Sequence, residues 1–164
     1  MLVERIGVGG RLPAVPLAEL DGGDIRQVWP QQDLAGQRVV LVGAPAAFSP
    51  VCSRLHMPGF MNSVPSLRRS GFDQVVCVTP DNPWALQAWG QQLGVGDQIR
   101  FLSDGNLKFG RTLGLTTKVE SLFLGECYER FVLIVQNCIV EKVSVETSVL
   151  EVSCTAASEF ALAA

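Results

Sequence analysis

Histidine is almost missing from this chain: among its 164 residues there is one, His56. The five cysteines, at 52, 77, 127, 138 and 154, include no C-x-x-C pair. A zinc site of the usual kind needs clustered Cys and His ligands, and a dithiol redox site needs the C-x-x-C, so both are disfavoured. No apolar run approaches the roughly 18 residues of a membrane span. Basic residues are scattered, with Arg68-Arg69 the one adjacent pair in a chain of net charge −3. Nucleic-acid binding draws its affinity from a basic face, and none is evident. The first residues, "MLVERIGVGGRLPAVPLAEL", carry charges and glycines where a signal peptide would carry its apolar core. Export is therefore not expected. An odd number of cysteines then fits reduced thiols in the cytoplasm.

What is present is globular: 48% hydrophobic and 18% charged residues. No repeat, low-complexity tract or linker divides the sequence, so residues 1–164 are expected to form one domain. "RVVLVGA" (38–44) and "FDQVVCVT" (72–79) are continuous apolar runs, as expected of strands buried on both faces. Residues 50 to 69 between them carry a helical pattern, which makes a βαβ unit. A second helix is expected from Pro83 to Leu93, capped by Asp81 or Asn82 with Pro83 in the first helical position. A short strand (99–104) and a short helix (107–113) follow. "ERFVLIVQ" and "IVEKVSVE" flank Asn137-Cys138 as a hairpin, and the alanine-rich tail from Ser153 to Ala164 could close as a helix. The order describes an α/β sandwich on the thioredoxin plan, a central mixed β-sheet flanked by helices.

One stretch carries chemistry. In "SPVC", Ser49 is a good N-cap, Pro50 suits the first helical position, and Cys52 falls in the first turn. The unpaired amides and positive dipole end there favour a thiolate, the nucleophilic form of cysteine. By position alone Cys52 is equally well a buried filler. His56, four residues on, shares a helix face with it. A protease-like Cys-His pair normally draws its members from separate elements, so His56 reads better as a structural histidine bonding to backbone. Pro58 and Gly59 should kink or end the helix segment, and Pro65 suggests a bend or an earlier end.

"PAAFSPVCSRLHMPGF" (45–60) resembles the signature of the type-II peroxiredoxins, the fifth subfamily of that thioredoxin-like family. "RLPAVPL", "VVCVTPDNPWALQAWG", "LSDGNLKFGRTLGL" and "ERFVLIVQNCIV" resemble further segments of that family, in its order. The resemblance implies a thiol-dependent peroxidase acting on hydrogen peroxide and organic hydroperoxides. It matches Cys52 to the peroxidatic cysteine, Ser49 to the hydroxyl residue, Pro45 to the residue shielding the sulfur, and Arg130 to the arginine facing the thiolate. It implies no metal or prosthetic group, an external reductant (glutathione with glutaredoxin, or thioredoxin), and a homodimer. Ala46 stands where that family usually has Gly, Val51 where Thr is common, and Asn137-Cys138 where the hairpin turn is usually Asp-Gly. Cysteine tolerates a left-handed turn less well than glycine, so a different turn type is expected there.

Peroxide attack would leave Cys52 as a sulfenic acid, which a thiol must then condense with. Cys154 resembles the C-terminal resolving cysteine of some relatives, whereas others use one cysteine and an external thiol. Disulfide formation needs Cα atoms within about 7 Å, so the tail would have to move. Cys77 reads as inert core; Cys127 and Cys138 flank the hairpin and could be exposed. Phe48, Trp84 and Trp89 read as core or dimer contacts. A peroxide sensor that oxidises without sustained turnover is the alternative to an enzyme.

Overall fold

The computed structural model describes residues 3–161. In chain order, β1 (Leu17–Asp21) and β2 (Asp24–Val28) form a hairpin, followed by the one-turn helix α1 (Pro30–Asp33) and β3 (Arg38–Gly43). A π-helical turn, Cys52–His56, leads into α2 (Met57–Arg69), then β4 (Gln74–Thr79), α3 (Pro83–Leu93), β5 (Ile99–Ser103) and α4 (Lys108–Leu113). A small hairpin of β6 (Thr116–Lys118) and β7 (Glu126–Tyr128) precedes β8 (Phe131–Gln136) and β9 (Ile139–Val145).

The apolar run of β3 has no face that can be left to water, and it lies deep in a seven-stranded sheet of order β2-β1-β5-β4-β3-β8-β9. β3, β4 and β5 are parallel, while β8 joins the other edge of β3 antiparallel, with Gly43 opposite Phe131. Alternation along β3 divides the core. Val40 and Val42 pack with Phe60, Val64 and Leu67 of α2 and with Leu86 and Trp89 of α3. Val39 and Leu41 face the opposite layer, with Leu34 after α1, Phe109 and Leu113 of α4, and Tyr128. The thioredoxin-like plan is thus borne out. The β1–β2 and β6–β7 hairpins had no expectation. β2 ("DIRQV") is exposed except at Val28, so it lacks the alternation that marks a half-buried strand.

Five local expectations are corrected. Pro58 and Gly59 neither end nor break the helix. The Met57 N–H reaches back to the Cys52 carbonyl, a wide i→i+5 turn, and Pro58 falls in the opening turn of α2, where its missing N–H is harmless. Pro65 sits inside α2 on an exposed position, where water can satisfy the carbonyl its ring leaves unpaired. The β8–β9 turn keeps the left-handed geometry of a two-residue hairpin, with φ of 47° at Asn137 and 66° at Cys138. Its cost at Cys138 is offset by burial and by a thiol hydrogen bond to the Pro30 carbonyl at 3.3 Å. Cys138 and Cys127 are both 2% exposed, not surface thiols. The expected C-terminal helix is, within the described residues, only the 3₁₀ turn Ala157–Glu159; residues 162–164 lie outside them. Extended backbone at Ala156 and side-chain bonds at Ser153 and Thr155 hold the preceding chain in an open strap.

Gly43 links fold and site, because a Cβ there would meet the Phe131 ring at 2.1 Å. That ring is fully buried and cannot swing clear. Gly43→Ala should therefore overpack the β3–β8 crossing and destabilise the protein by about 1–3 kcal/mol. A denaturant midpoint equal to wild type would show that the crossing is not close-packed.

Candidate active site

The parallel strands β3 and β4 end side by side, and the loops leaving them are tied together. The Ala47 N–H donates to the Asp81 carboxylate at 2.7 Å. Of the two residues expected to cap α3, Asn82 does so, accepting from the Ala85 N–H at 2.9 Å, which leaves Asp81 for the loop. Pro45 is buried, and Phe48 takes a left-handed φ of 63° that turns the chain into the helix. Ser49 is not a side-chain cap. Its hydroxyl donates to the Ala46 carbonyl at 2.7 Å, while its own carbonyl accepts the Ser53 N–H at 2.9 Å. Cys52 follows at 0% exposure. One residue on, the Ser53 hydroxyl accepts the Trp89 indole N–H at 2.9 Å, locking the turn to α3.

Arg130 stands one residue before β8, the strand paired with the other edge of β3, and is 1% exposed. Its Nη2 donates to Cys52 Sγ at 3.2 Å. Nη2 and Nε both donate to the Val149 carbonyl, at 2.7 and 3.1 Å, and Nη1 pairs with His56 Nδ1 at 2.9 Å. Among the described residues no carboxylate lies within ion-pair distance of Arg130. Neutral acceptors therefore fix the guanidinium without cancelling its charge, and that charge faces the sulfur. A cation so placed can stabilise negative charge that develops at the sulfur or on an atom bound beside it.

The same bonds set the tautomer of His56. Its Nε2 lies 3.0 Å from the Thr155 carbonyl, which can only accept, so Nε2 carries the proton and Nδ1 accepts from Arg130. His56 thus bonds to backbone as expected, but it also holds the arginine, which spacing alone did not reveal. Burial, joined by the Arg130 charge, pushes its pKa down to about 4, against the weaker opposing pull of the Thr155 carbonyl.

The carbonyls of Val149 and Thr155 belong to the strap after β9, whose hinge is Glu146. Its carboxylate accepts from the amides and hydroxyls of both Ser153 and Thr155, at 2.5 to 2.9 Å. Burial raises the Glu146 carboxyl, but these four donors outweigh it and leave the pKa at about 2. Backbone carbonyls carry no sequence signature, so the strap's part in the site was invisible in the sequence. Glu146 was hidden too, as one more polar residue at a strand end.

The structure brings Cys52 and Arg130 into contact and places Pro45 and Ser49 in the loop entering the same turn. Cys154 is not brought to Cys52. It lies exposed on the strap, its thiol donating to the Val145 carbonyl at 3.5 Å, and burial together with the Glu146 charge raises its pKa. Cys77 is buried in β4 beside Val42, as expected of core, and burial with the nearby Cys52 charge raises its pKa far up. Burial and Cys52 likewise push Cys127 up to about 11. Trp89 is core, whereas Trp84 and Phe48 are 58% and 49% exposed.

Because His56 is neutral when folded, unfolding takes up a proton between pH 6.5 and about 4. Stability conferred by this site is therefore complete above pH 6.5 and is lost as pH falls toward about 4. A pH titration followed by NMR should find the lone imidazole changing charge near 4 in the folded protein. A midpoint near 6.5 would mean that His56 is not buried beside the Arg130 charge.

Comparison with known proteins gives the family. Residues 8–157 match the Redoxin family. The chain is 34% identical to Peroxiredoxin-2C of Oryza sativa subsp. japonica over 86% of its own length and 88% of the relative's. It is 33% identical to the chloroplastic Peroxiredoxin-2E of Arabidopsis thaliana over 86% of its own length, spanning 62% of that longer protein. Among solved structures, reduced Prx3 of Vibrio vulnificus superposes with a TM-score of 0.87 at 28% identity, over 93% of this chain and 94% of that one. The same Vibrio protein solved with hydrogen peroxide gives a TM-score of 0.82 at 30% identity, over 87% and 86% of the two chains. The chain belongs to the Redoxin family and, within it, to the type-II peroxiredoxins, which are thiol-dependent peroxidases.

Proposed function

We propose that Cys52 is the peroxidatic thiol, acting on hydrogen peroxide and small organic hydroperoxides. The observation that carries this reading is the Cys52–Arg130 contact, a buried sulfur held at 3.2 Å from a guanidinium that has no carboxylate partner among the described residues. The thiolate attacks one peroxide oxygen, the O–O bond breaks, and the departing oxygen leaves as water or alcohol after taking a proton. Cys52 is oxidised to the sulfenic acid and the peroxide is reduced by two electrons. Arg130 stabilises the sulfur anion and then the charge growing on the peroxide oxygens. Ser49 has its proton committed to Ala46, so its oxygen is free to accept the peroxide O–H and hold the substrate in line. Pro45 keeps water from the sulfur. The Vibrio relative solved with hydrogen peroxide supports this choice of substrate. The cycle calls on no metal or prosthetic group.

Cys154 serves as the resolving thiol, with an external thiol completing the cycle: glutathione with glutaredoxin, or thioredoxin. Burial and the Glu146 charge raise the pKa of the docked Cys154, which disfavours its attacking thiolate while the strap is in place. Condensation joins the two sulfurs and expels water, and the reductant returns both thiols. Five free cysteines fit a reducing compartment, and we assign the cytoplasm, although relatives include chloroplastic and mitochondrial proteins. A homodimer is supported by the exposed apolar side chains of Phe48, Trp84 and Leu150, all on segments that also hold the site.

Mass spectrometry after peroxide treatment tests both assignments. Wild type should consume peroxide over many turnovers with excess reductant and form a Cys52–Cys154 disulfide without it. Cys52→Ser should consume none; consumption at the wild-type rate would sink the peroxidase site. Cys154→Ser should stop at the sulfenic acid, and an undiminished intramolecular disulfide would assign resolution to another thiol. A single oxidation without turnover would favour a sensor.

A further inference from the structure

Arg130 is the group on which the proposed chemistry turns, yet nothing on its own strand holds its side chain. Its guanidinium rests on the strap, through the two bonds to the Val149 carbonyl, and on His56, which rests on the strap in turn through the Thr155 carbonyl. The strap lies in irregular backbone, and residues 147, 150, 151, 153 and 154 are exposed. Between Thr147 and Cys154 the strap has little packing to keep its backbone in place, while its end is seated by the buried Thr155 and Ala157. What closes it is Glu146. This residue is 6% exposed and takes four donors from two residues at the far end of the strap, while its own N–H donates to the Arg130 carbonyl at 2.9 Å. The bonds make a closed circuit: Arg130 backbone to Glu146, Glu146 to Ser153 and Thr155, strap carbonyls back to the Arg130 side chain.

We infer that Glu146 is a positioning residue for Arg130: by clasping Ser153 and Thr155 it holds the Val149 and Thr155 carbonyls where they aim the guanidinium at Cys52. This rests on the peroxidase reading for its consequence in catalysis, though not for the coupling itself. The carboxylate suits the task because it spends its charge on four neutral donors. It closes the strap without coming within ion-pair distance of the arginine, whose charge remains for the sulfur and the substrate. The charged and titratable groups around the circuit are Glu146 itself, Cys52, Arg130, His56, Cys154 and Glu151, which accepts from the Thr147 hydroxyl, with Cys77 and Cys127 close enough to feel the Cys52 charge.

A double-mutant cycle separates positioning from general structural support. Glu146→Gln keeps the size of the side chain but removes its charge and turns the oxygen that accepts the Ser153 hydroxyl into a donor, so the charge-assisted clasp is lost. Rate constants for Cys52 with hydrogen peroxide and with iodoacetamide are measured in wild type, Glu146→Gln, Arg130→Gln and the double variant. Glu146→Gln should slow both reactions by about tenfold when Arg130 is present and leave them unchanged in the Arg130→Gln background. Ser153→Ala combined with Thr155→Val removes the hydroxyls from the other side of the clasp and should show the same dependence on Arg130. It decides the matter if Glu146→Gln fails to fold. Equal losses with and without Arg130, or no loss in either background, would overturn the inference. Alkylation by iodoacetamide reports the coupling with no peroxide present, so failure of the peroxidase reading leaves this result standing and is told apart from it.

Discussion

A buried guanidinium that, among the described residues, is held by neutral acceptors and faces the reacting sulfur is the constraint from which the rest of this site follows. Burying a charge is costly unless it is well bonded, and an arginine usually finds a carboxylate. Here the partners are the Val149 carbonyl, the uncharged imidazole of His56 and the sulfur of Cys52. A carboxylate would have steadied Arg130 better and left less of its field for the thiolate. The neutral cage trades some stability for electrostatic reach, which is the useful direction at a centre where negative charge develops.

The fold supplies the other half of the arrangement. Cys52 leaves the end of β3 and Arg130 enters β8, and these strands pair directly, with Gly43 opposite Phe131. The smallest residue on β3 admits the Phe131 ring, so the backbone beside Arg130 is set by packing and its side chain by hydrogen bonds. The wide turn Cys52–His56 matters for the same reason. It brings Cys52 and His56 onto Arg130 together, one through sulfur and one through Nδ1.

Much of this was legible in the sequence. The central strands announce themselves as unbroken apolar runs. Ser49, Cys52 and Pro45 stand out through their motif, and Arg130 through its place ahead of "FVLIVQ". What escaped has a common physical character. Helix-breaking power was overestimated at Pro58 and Pro65 because one falls where no N–H is needed and the other on an exposed face. The left-handed turn at Asn137-Cys138 persisted because hairpin twist outweighs side-chain preference, and the thiol found a buried acceptor. The hold on Arg130 escaped because it runs through main-chain carbonyls, Val149 directly and Thr155 through His56, and every residue has a carbonyl. The tail looked helical from its alanines, yet the Glu146 clasp draws it into a strap. Composition records propensity, whereas these features depend on where a donor and an acceptor meet.

The central claim is that Arg130 serves the peroxide as well as the thiolate, and the selectivity of Cys52 between two electrophiles tests it most directly. Rate constants for hydrogen peroxide and for iodoacetamide should be compared in wild type and Arg130→Gln. Losing the thiolate's partner slows both reactions, but only peroxide also loses the donor to its developing oxygen charge. The account predicts that peroxide reactivity falls by about 100-fold or more and alkylation by far less. Equal losses for both reagents, or an undiminished peroxide rate, would contradict it.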